Sequence, residues 1–160
     1  MGNPNDNRSV QAALSPQGLK LWLPADPASV RQALKTAMAA LGEMPVAAVL
    51  ADVVEIVLAE VLNNVVEHAY AGDGGGIVEL EVVREERALA FSVRDKGLPM
   101  PGGDMPEGRA HDLDAMADDL PEGGFGWFLI RELTQDLSYA RTGTGNELTF
   151  RIALDARLSS

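Results

Sequence analysis

One helical stretch, residues 46–70, constrains the fold of this chain more than any other segment. Read at about 100° per residue, its apolar positions fall on one side of a helix; they are Leu50, Val54, Val57, Val61 and Val65. Glu60 and Asn64 interrupt this arrangement, because they lie one helical turn apart at the border of the apolar side. A carboxylate or carboxamide that is buried without a partner costs on the order of 1–3 kcal/mol. The stretch therefore predicts partners for both side chains, either protein groups or a ligand.

Composition excludes several classes of protein. The 160 residues include no cysteine and two histidines, which argues against disulfides and against a thiolate or histidine-rich metal site. The net charge is −11 and no basic patch is present, so we expect no binding to nucleic acid or to an anionic membrane. No apolar run approaches the roughly 20 residues that span a bilayer, and the polar N-terminus does not resemble a signal peptide. We expect a cytoplasmic protein, with residues 1–8 as a flexible tail and residues 9–156 as one domain.

The order of the predicted elements is typical of an α+β fold. The apolar periods and turn signals predict ββ–α–α–β–β–loop–α–β–β, with Asp26 and Pro27 starting the first helix and Gly42 ending it. Because strands pair as hairpins and helices are grouped, we expect a two-layer sandwich. Helices would cover one face of a mixed, mostly antiparallel sheet. Residues 98–122 lack any helix or strand period, and a loop of this length is expected to form a lid over a site.

Four motifs could carry chemistry. They are Glu60 with Asn64 on the helix, Asp95-x-Gly97 at a strand end, Gly124-x-Gly126 at a helix start, and Thr149 in the last strand. Each has an ordinary explanation when taken alone: a satisfied core asparagine, a tight turn, a helix cap and a strand threonine.

The combination is more specific than any single motif. A helix start preceded by glycines offers free N–H groups and a positive dipole end to phosphate oxygens. An asparagine oxygen suits Mg²⁺, which phosphates and water then complete. A carboxylate one turn away can accept a proton from an attacking hydroxyl, and a buried aspartate can accept a hydrogen bond from the amino group of adenine. The combination of the four motifs therefore predicts a binding site for a magnesium–nucleotide complex.

In this order the motifs resemble the N, G1 and G2 boxes of the GHKL ATPases, and most of all those of bacterial anti-sigma-factor serine/threonine kinases. The resemblance rests on residues 23–27, 59–70, 93–97 and 123–131 and extends over nearly the whole chain from about residue 18. It implies the Bergerat ATP-binding fold, with ATP and Mg²⁺ as cofactors.

The resemblance also implies roles for the phosphate end of the site. Asn64 would coordinate the Mg²⁺ that bridges the ATP phosphates, and Glu60 would be the general base toward a serine or threonine hydroxyl of a protein substrate. Gly124 and Gly126 would cradle the phosphates beneath the ATP lid, residues 98–122.

At the base end, Asp95 would accept from the adenine amino group, Gly97 would admit the base, and Thr149 would support the same contact. The sequence leaves the roles of two neighbouring residues undecided. His68 is either a packed residue at the helix end or part of the site, and Arg131 either reaches a phosphate or pairs with an acid.

Partners follow from the resemblance alone. It implies a STAS-type anti-anti-sigma protein as substrate, a sigma factor as a further partner, and a homodimer. Three alternatives stand beside the active kinase: a nucleotide-loaded module that only sequesters a partner, the catalytic domain of a histidine kinase, and a plain α+β interaction domain. The histidine kinase is the weakest nucleotide-binding alternative, because no phosphoacceptor helix is expected in the chain.

Overall fold

The described part of the computed structural model, residues 9–43, 48–69, 76–100 and 124–154, contains three α-helices, a short π-helix and six strands. In chain order they are β1 (Gln11–Ser15), β2 (Gly18–Pro24), α1 (Pro27–Gly42), α2 (Ala48–Asn64), the π-helix (Val65–Ala69), β3 (Ile77–Arg84), β4 (Ala88–Asp95), α3 (Gly124–Leu133), β5 (Gln135–Thr142) and β6 (Gly145–Ala153). This order confirms the predicted α+β class. The tail at 1–8 and the lid from residue 101 onward lie outside the described residues.

The six strands form one sheet with the order β1-β2-β3-β4-β6-β5. Every described pair of neighbouring strands is antiparallel, so this part of the sheet is antiparallel rather than mixed. β1 and β2 meet through a two-residue turn that pairs Ser15 with Gly18. A Cβ atom on Gly18 would overlap the carbonyl oxygen of Val82, so only glycine allows this approach of β2 to β3.

Strand alternation separates a core face from an open face. On β3, Val78, Leu80 and Val82 are fully buried, while Glu79 and Glu81 point to the other side and are partly exposed. The buried face joins the apolar faces of the helices in one hydrophobic cluster, in which α1 also packs on α2 and β2. The helices therefore cover one face of the sheet, as predicted.

The first helix begins as the sequence predicts and ends differently. Asp26 is the N-cap: its Oδ1 accepts from the Ser29 amide at 2.7 Å and its Oδ2 accepts from the Ser29 hydroxyl at 3.0 Å. At the other end, Gly42 is still helical, and Glu43 closes the helix in a right-handed conformation. Gly42 therefore does not form the left-handed glycine cap that often ends a helix.

An ion network lies on the open face of the sheet. Arg94 contacts Glu147 at 2.7 Å, Glu79 at 3.3 Å and Glu81 at 3.7 Å, and Lys20 joins the network through Glu79 at 3.3 Å. The hydrogen bond that Arg94 donates to Glu147, followed by the charges of the three glutamates, raises the pKa of Arg94 above its ordinary value. No helix in the described ranges is long and apolar enough to cross a membrane.

The buried row of β3 predicts where the fold is most sensitive to truncation. Leu80→Ala should lower the free energy of unfolding by about 2–5 kcal/mol, because Leu80 is fully buried and the change leaves a cavity. Val83→Ala on the open face of the same strand is the control, with an expected loss under about 1 kcal/mol. Urea denaturation measures both, and equal losses would contradict the assignment of the two faces.

Candidate functional site

The amphipathic stretch forms α2 and places its two polar residues at the edge of the core. Asn64 is buried, with 7% of its surface exposed, and Glu60 one turn earlier is half-buried. The predicted helix continues after Asn64 in a different geometry, since Val65–Ala69 is a π-helix. π-turns inside longer helices are often found at functional sites. Asn64 is thus the last residue of regular α-helix before the chain changes its hydrogen-bonding pattern.

The amide nitrogen of Asn64 is buried without a hydrogen-bond partner in the described part of the structure. Its Nδ2 has no hydrogen bond among the described residues, whereas the neighbouring Asn63 is exposed to solvent. Such a group destabilises the folded protein by roughly 1–3 kcal/mol unless a ligand or water satisfies it. A half-turn of the amide exchanges nitrogen and oxygen with little change in shape, so either atom can face an incoming partner. Nearly all buried polar groups in proteins are paired, so Asn64 is a candidate for binding a ligand.

The start of α3 lies directly against these two side chains. A Cβ atom on Gly126 would overlap Oε2 of Glu60 and would lie 3.3 Å from its Cδ and 3.8 Å from Nδ2 of Asn64. Trp127 and Ile130, in the following turn, are buried in the core and hold the helix in place. Glycine at 126 is therefore what allows the first turn of α3 to approach the polar edge of α2.

The same helix start carries unpaired backbone donors. α3 begins at Gly124, so its first N–H groups have no partner within the helix, and its dipole is positive at this end. Such an end favours anions, phosphate oxygens among them. The structure thus brings together Glu60, Asn64 and Gly126, at a helix end that suits a phosphate.

Asp95 closes β4 and turns its carboxylate to the helix-covered side of the sheet. It is 7% exposed and shares its face with Phe91 and Val93, which are core residues. Its Oδ1 accepts from the backbone amide of Gly97 and from Nδ2 of Asn146, each at 2.8 Å. The first of these bonds closes an Asx-turn, which explains the Asp-x-Gly spacing. Among the described residues, no hydrogen bond reaches Oδ2.

Thr149 is not brought to Asp95. In the register of β4 and β6, Thr149 pairs with Ser92, whereas Asp95 pairs with Asn146. Directly opposed residues share a face, and odd and even positions of a strand point to opposite faces. Thr149 therefore lies on the open face, and the side chain beside Asp95 is that of Asn146.

Three residues at this end of the sheet were not predicted from the sequence: Asn146, Tyr139 and Arg141. Nδ2 of Asn146 also donates to the carbonyl of Leu98 at 2.8 Å, while its Oδ1 accepts from the Tyr139 hydroxyl at 2.6 Å and from Arg141 at 3.2 Å. A signal existed for Asn146. Counting back by two along β6 from the buried apolar positions reaches an asparagine on the core-facing side.

The other predicted residues have mixed placements. His68 is exposed within the π-helix, and Arg131 is exposed in the last turn of α3. Most of the predicted lid, residues 101–122, lies outside the described residues.

Within the described ranges no group of three or more acidic or histidine side chains is placed to hold a metal ion. A Mg²⁺ ion that is shared with phosphates needs only one or two protein ligands, and the carbonyl oxygen of the buried Asn64 side chain is a ligand of the required kind.

Comparison with known proteins identifies the family. Residues 23–152 match the family of histidine kinase-like ATPase domains. The chain belongs to this family. The match includes Glu60, Asn64, Asp95 and both glycines at the start of α3. Membership of an ATPase family implies that the chain binds ATP.

Individual relatives agree with the family at low identity. The serine/threonine-protein kinase BtrW of Bordetella bronchiseptica is 30% identical over 90 residues, which cover 56% of this chain and 61% of that protein. The anti-sigma F factor of Geobacillus stearothermophilus is 27% identical over 84 residues, or 52% of this chain and 56% of that protein. The chain thus matches little more than half the length of these relatives.

A solved structure agrees on the fold. The Erythrobacter litoralis EL346 blue-light activated histidine kinase superposes with a TM-score of 0.51 at 22% identity and covers 82% of this chain and 42% of that one. At this identity the likeness bears on the fold alone.

The unpaired amide predicts a conflict between stability and binding. Asn64→Leu should raise the free energy of unfolding without nucleotide by about 1–3 kcal/mol, because an apolar side chain of similar size replaces an unsatisfied amide. The same change should weaken ATP binding at least about tenfold. Urea denaturation and calorimetric titration measure the two effects.

Asn63→Leu, one residue earlier on the exposed side of α2, is the matched control and should change neither quantity by much. A loss of stability in Asn64→Leu alone would mean that protein groups satisfy this amide.

Proposed function

We propose that this protein is an ATP-dependent serine/threonine-protein kinase of the anti-sigma-factor type, and that its substrate is a serine or threonine of a small STAS-type partner. One observation carries the proposal: the Glu60 carboxylate and the unpaired Asn64 amide lie side by side against the glycine start of α3. A proton acceptor, a cation ligand and a phosphate-binding helix end are the protein groups that phosphoryl transfer to a hydroxyl requires.

At the phosphate end, each residue has a separate task. Asn64 would hold Mg²⁺ through its side-chain oxygen, and the N–H groups at the start of α3 would bind phosphate oxygens. The bound Mg–ATP complex supplies a terminal phosphoryl group whose charge is partly neutralised. Glu60 lies beside the same helix start and accepts the proton of the attacking hydroxyl.

At the base end, Asp95 supplies the selectivity. Two donors already occupy its Oδ1, which leaves Oδ2 as the acceptor for the amino group of adenine. Gly97, which the Asx-turn holds beside this carboxylate, would leave room for the base. The proposed site therefore orients ATP through a carboxylate at one end and a helix start at the other.

The partners are proposed by analogy with the relatives. BtrW is named a serine/threonine-protein kinase, and the Geobacillus relative is named an anti-sigma F factor. We infer a partner-switching circuit in the cytoplasm, in which a homodimer of this chain phosphorylates the STAS-type protein and binds a sigma factor. A strongly acidic chain suits a basic partner surface, since complementary charge speeds association.

Glu60→Gln tests the proposed transfer step. The change removes the proton acceptor but keeps the shape, so transfer should fall by about 10²–10⁴-fold. ATP affinity should stay within about threefold, because Glu60 acts on the attacking hydroxyl rather than on the nucleotide. The measurement uses γ-labelled ATP, Mg²⁺ and STAS-domain proteins encoded in the same genome. Glu55→Gln, on the exposed side of α2, is the control and should transfer at the wild-type rate.

The same assay separates the kinase from the sequestering module. ATP binding with no transfer to any STAS-domain protein, together with partner capture that survives Glu60→Gln, would support the module and overturn the kinase. Transfer that Glu60→Gln leaves unchanged would overturn the role of Glu60.

Gly126→Ala tests the approach of α3 to Glu60. The new methyl group overlaps the Glu60 carboxylate, which must swing aside, so transfer should fall at least about tenfold. The free energy of unfolding should change by less than about 1 kcal/mol, because the clash is with the end of a flexible side chain and alanine favours the helix. Gly42→Ala is the matched control, since a Cβ atom there meets nothing within 4 Å. Unchanged transfer in Gly126→Ala would contradict this arrangement.

A further inference from the structure

Beyond the proposed residues, a partly buried hydrogen-bond network surrounds Asp95. Asn146 lies at its centre and is 7% exposed, and Tyr139 and Arg141 of β5 complete it. We propose that Asn146 is a positioning residue that sets which carboxylate oxygen of Asp95 is offered to a purine, and so determines the preference for a 6-amino base. This inference deepens the proposed ATP site and rests on it.

Asn146 cannot itself contact a base in this arrangement. Its amide nitrogen donates both of its hydrogens, to Oδ1 of Asp95 and to the carbonyl of Leu98, each at 2.8 Å. Its amide oxygen accepts two bonds, from the Tyr139 hydroxyl at 2.6 Å and from Arg141 at 3.2 Å. These four bonds use the whole hydrogen-bonding capacity of a carboxamide. Asn146 therefore acts on a ligand only through Asp95 and the backbone that it holds.

The effect on Asp95 is to distinguish two otherwise equivalent oxygens. A carboxylate rotates about a broad, roughly two-fold torsion, so a free aspartate offers either oxygen. Here Asn146 and the amide of Gly97 both donate to Oδ1. The unoccupied Oδ2 is then held in one direction. A fixed acceptor can reject a base that presents a carbonyl oxygen where adenine presents its amino group.

The network also holds the segment that leaves β4. Arg141 donates to the carbonyl of Gly97 at 2.7 Å, and the amide of Met100 donates to the Tyr139 hydroxyl at 3.1 Å. The side chain of Leu98 is 60% exposed, so polar contacts rather than apolar burial hold this segment. The carboxylate and the chain beside it are thus fixed by the same three side chains.

The test compares ATP with inosine triphosphate, which carries an oxygen in place of the 6-amino group. Asn146→Ala removes one of the two donors that hold Oδ1, so the Kd of ATP should rise at least about tenfold while that of inosine triphosphate changes less than about threefold. The preference for ATP over inosine triphosphate, measured as the ratio of the two Kd values, should therefore be largely lost. Competition against a fluorescent ATP analogue on the full chain with Mg²⁺ measures both constants.

Tyr139→Phe is the second variant, because it keeps the ring and removes only the hydroxyl that holds Asn146. It should shift the ratio in the same direction by a smaller factor, and it serves if Asn146→Ala fails to fold. Ser138→Ala, at the exposed neighbouring position of β5, is the control and should leave the ratio unchanged.

The outcomes separate this inference from the proposed function. Equal losses for both nucleotides in Asn146→Ala and in Tyr139→Phe would indicate a merely structural role and overturn the inference. Asp95→Asn serves as the reference: a collapsed ratio there, with a wild-type ratio in both network variants, would also overturn the inference but keep Asp95 as the base reader. A wild-type ratio in Asp95→Asn, or no ATP binding by the wild-type chain, would overturn the proposed site and this inference with it.

Discussion

The approach of α3 to α2 is the contact on which the candidate site depends. Glycine at position 126 lets the two helices meet without displacing the Glu60 carboxylate, which occupies the space that a Cβ atom would take. Trp127 and Ile130 bury the next part of α3 in the core, so apolar packing of one helix positions the polar edge of another. The geometry of the phosphate end is therefore determined by the core, and not by hydrogen bonds between the site residues themselves.

Asn64 and Asp95 are both buried polar residues, but they differ in the hydrogen bonds that the protein makes to them. The Asp95 carboxylate accepts two hydrogen bonds from the protein, whereas Nδ2 of Asn64 has no hydrogen-bond partner among the described residues. A group that the protein already holds is preorganised, and ordering it adds no cost when a ligand binds. A group left unpaired lowers stability until a ligand arrives, and the ligand then gains from satisfying it. In the proposed site, the preorganised Asp95 therefore favours selectivity for the base, and the unpaired Asn64 favours binding of the cation–phosphate group.

Local patterns predicted most of the fold and part of the site. The period of the helix predicted the buried side of α2, and the Asp-Pro pair at residues 26–27 predicted the start of α1. The contact between Gly126 and Glu60 could not be predicted from either segment, because it depends on how two distant helices pack. Thr149 was predicted because the resemblance includes a threonine in the last strand, although strand parity places its side chain on the other face of the sheet from that of Asn146. A register shift between Gln135 and Ser138 in β5 similarly hides Tyr139 and Arg141, since it breaks the period of two.

The strand pair β4–β6 illustrates why parity matters more than proximity in the sequence. Arg94 pairs with Glu147, and the next pair along the register is Asp95 with Asn146. The first pair belongs to a half-exposed ion network on the open face, where solvent and salt screen its contribution. The second is buried on the helix-covered face, where a lost donor is not replaced by water. Two adjacent residues of β6 therefore have different surroundings: Glu147 contributes to a half-exposed ion network, whereas Asn146 donates to a buried carboxylate of the candidate site.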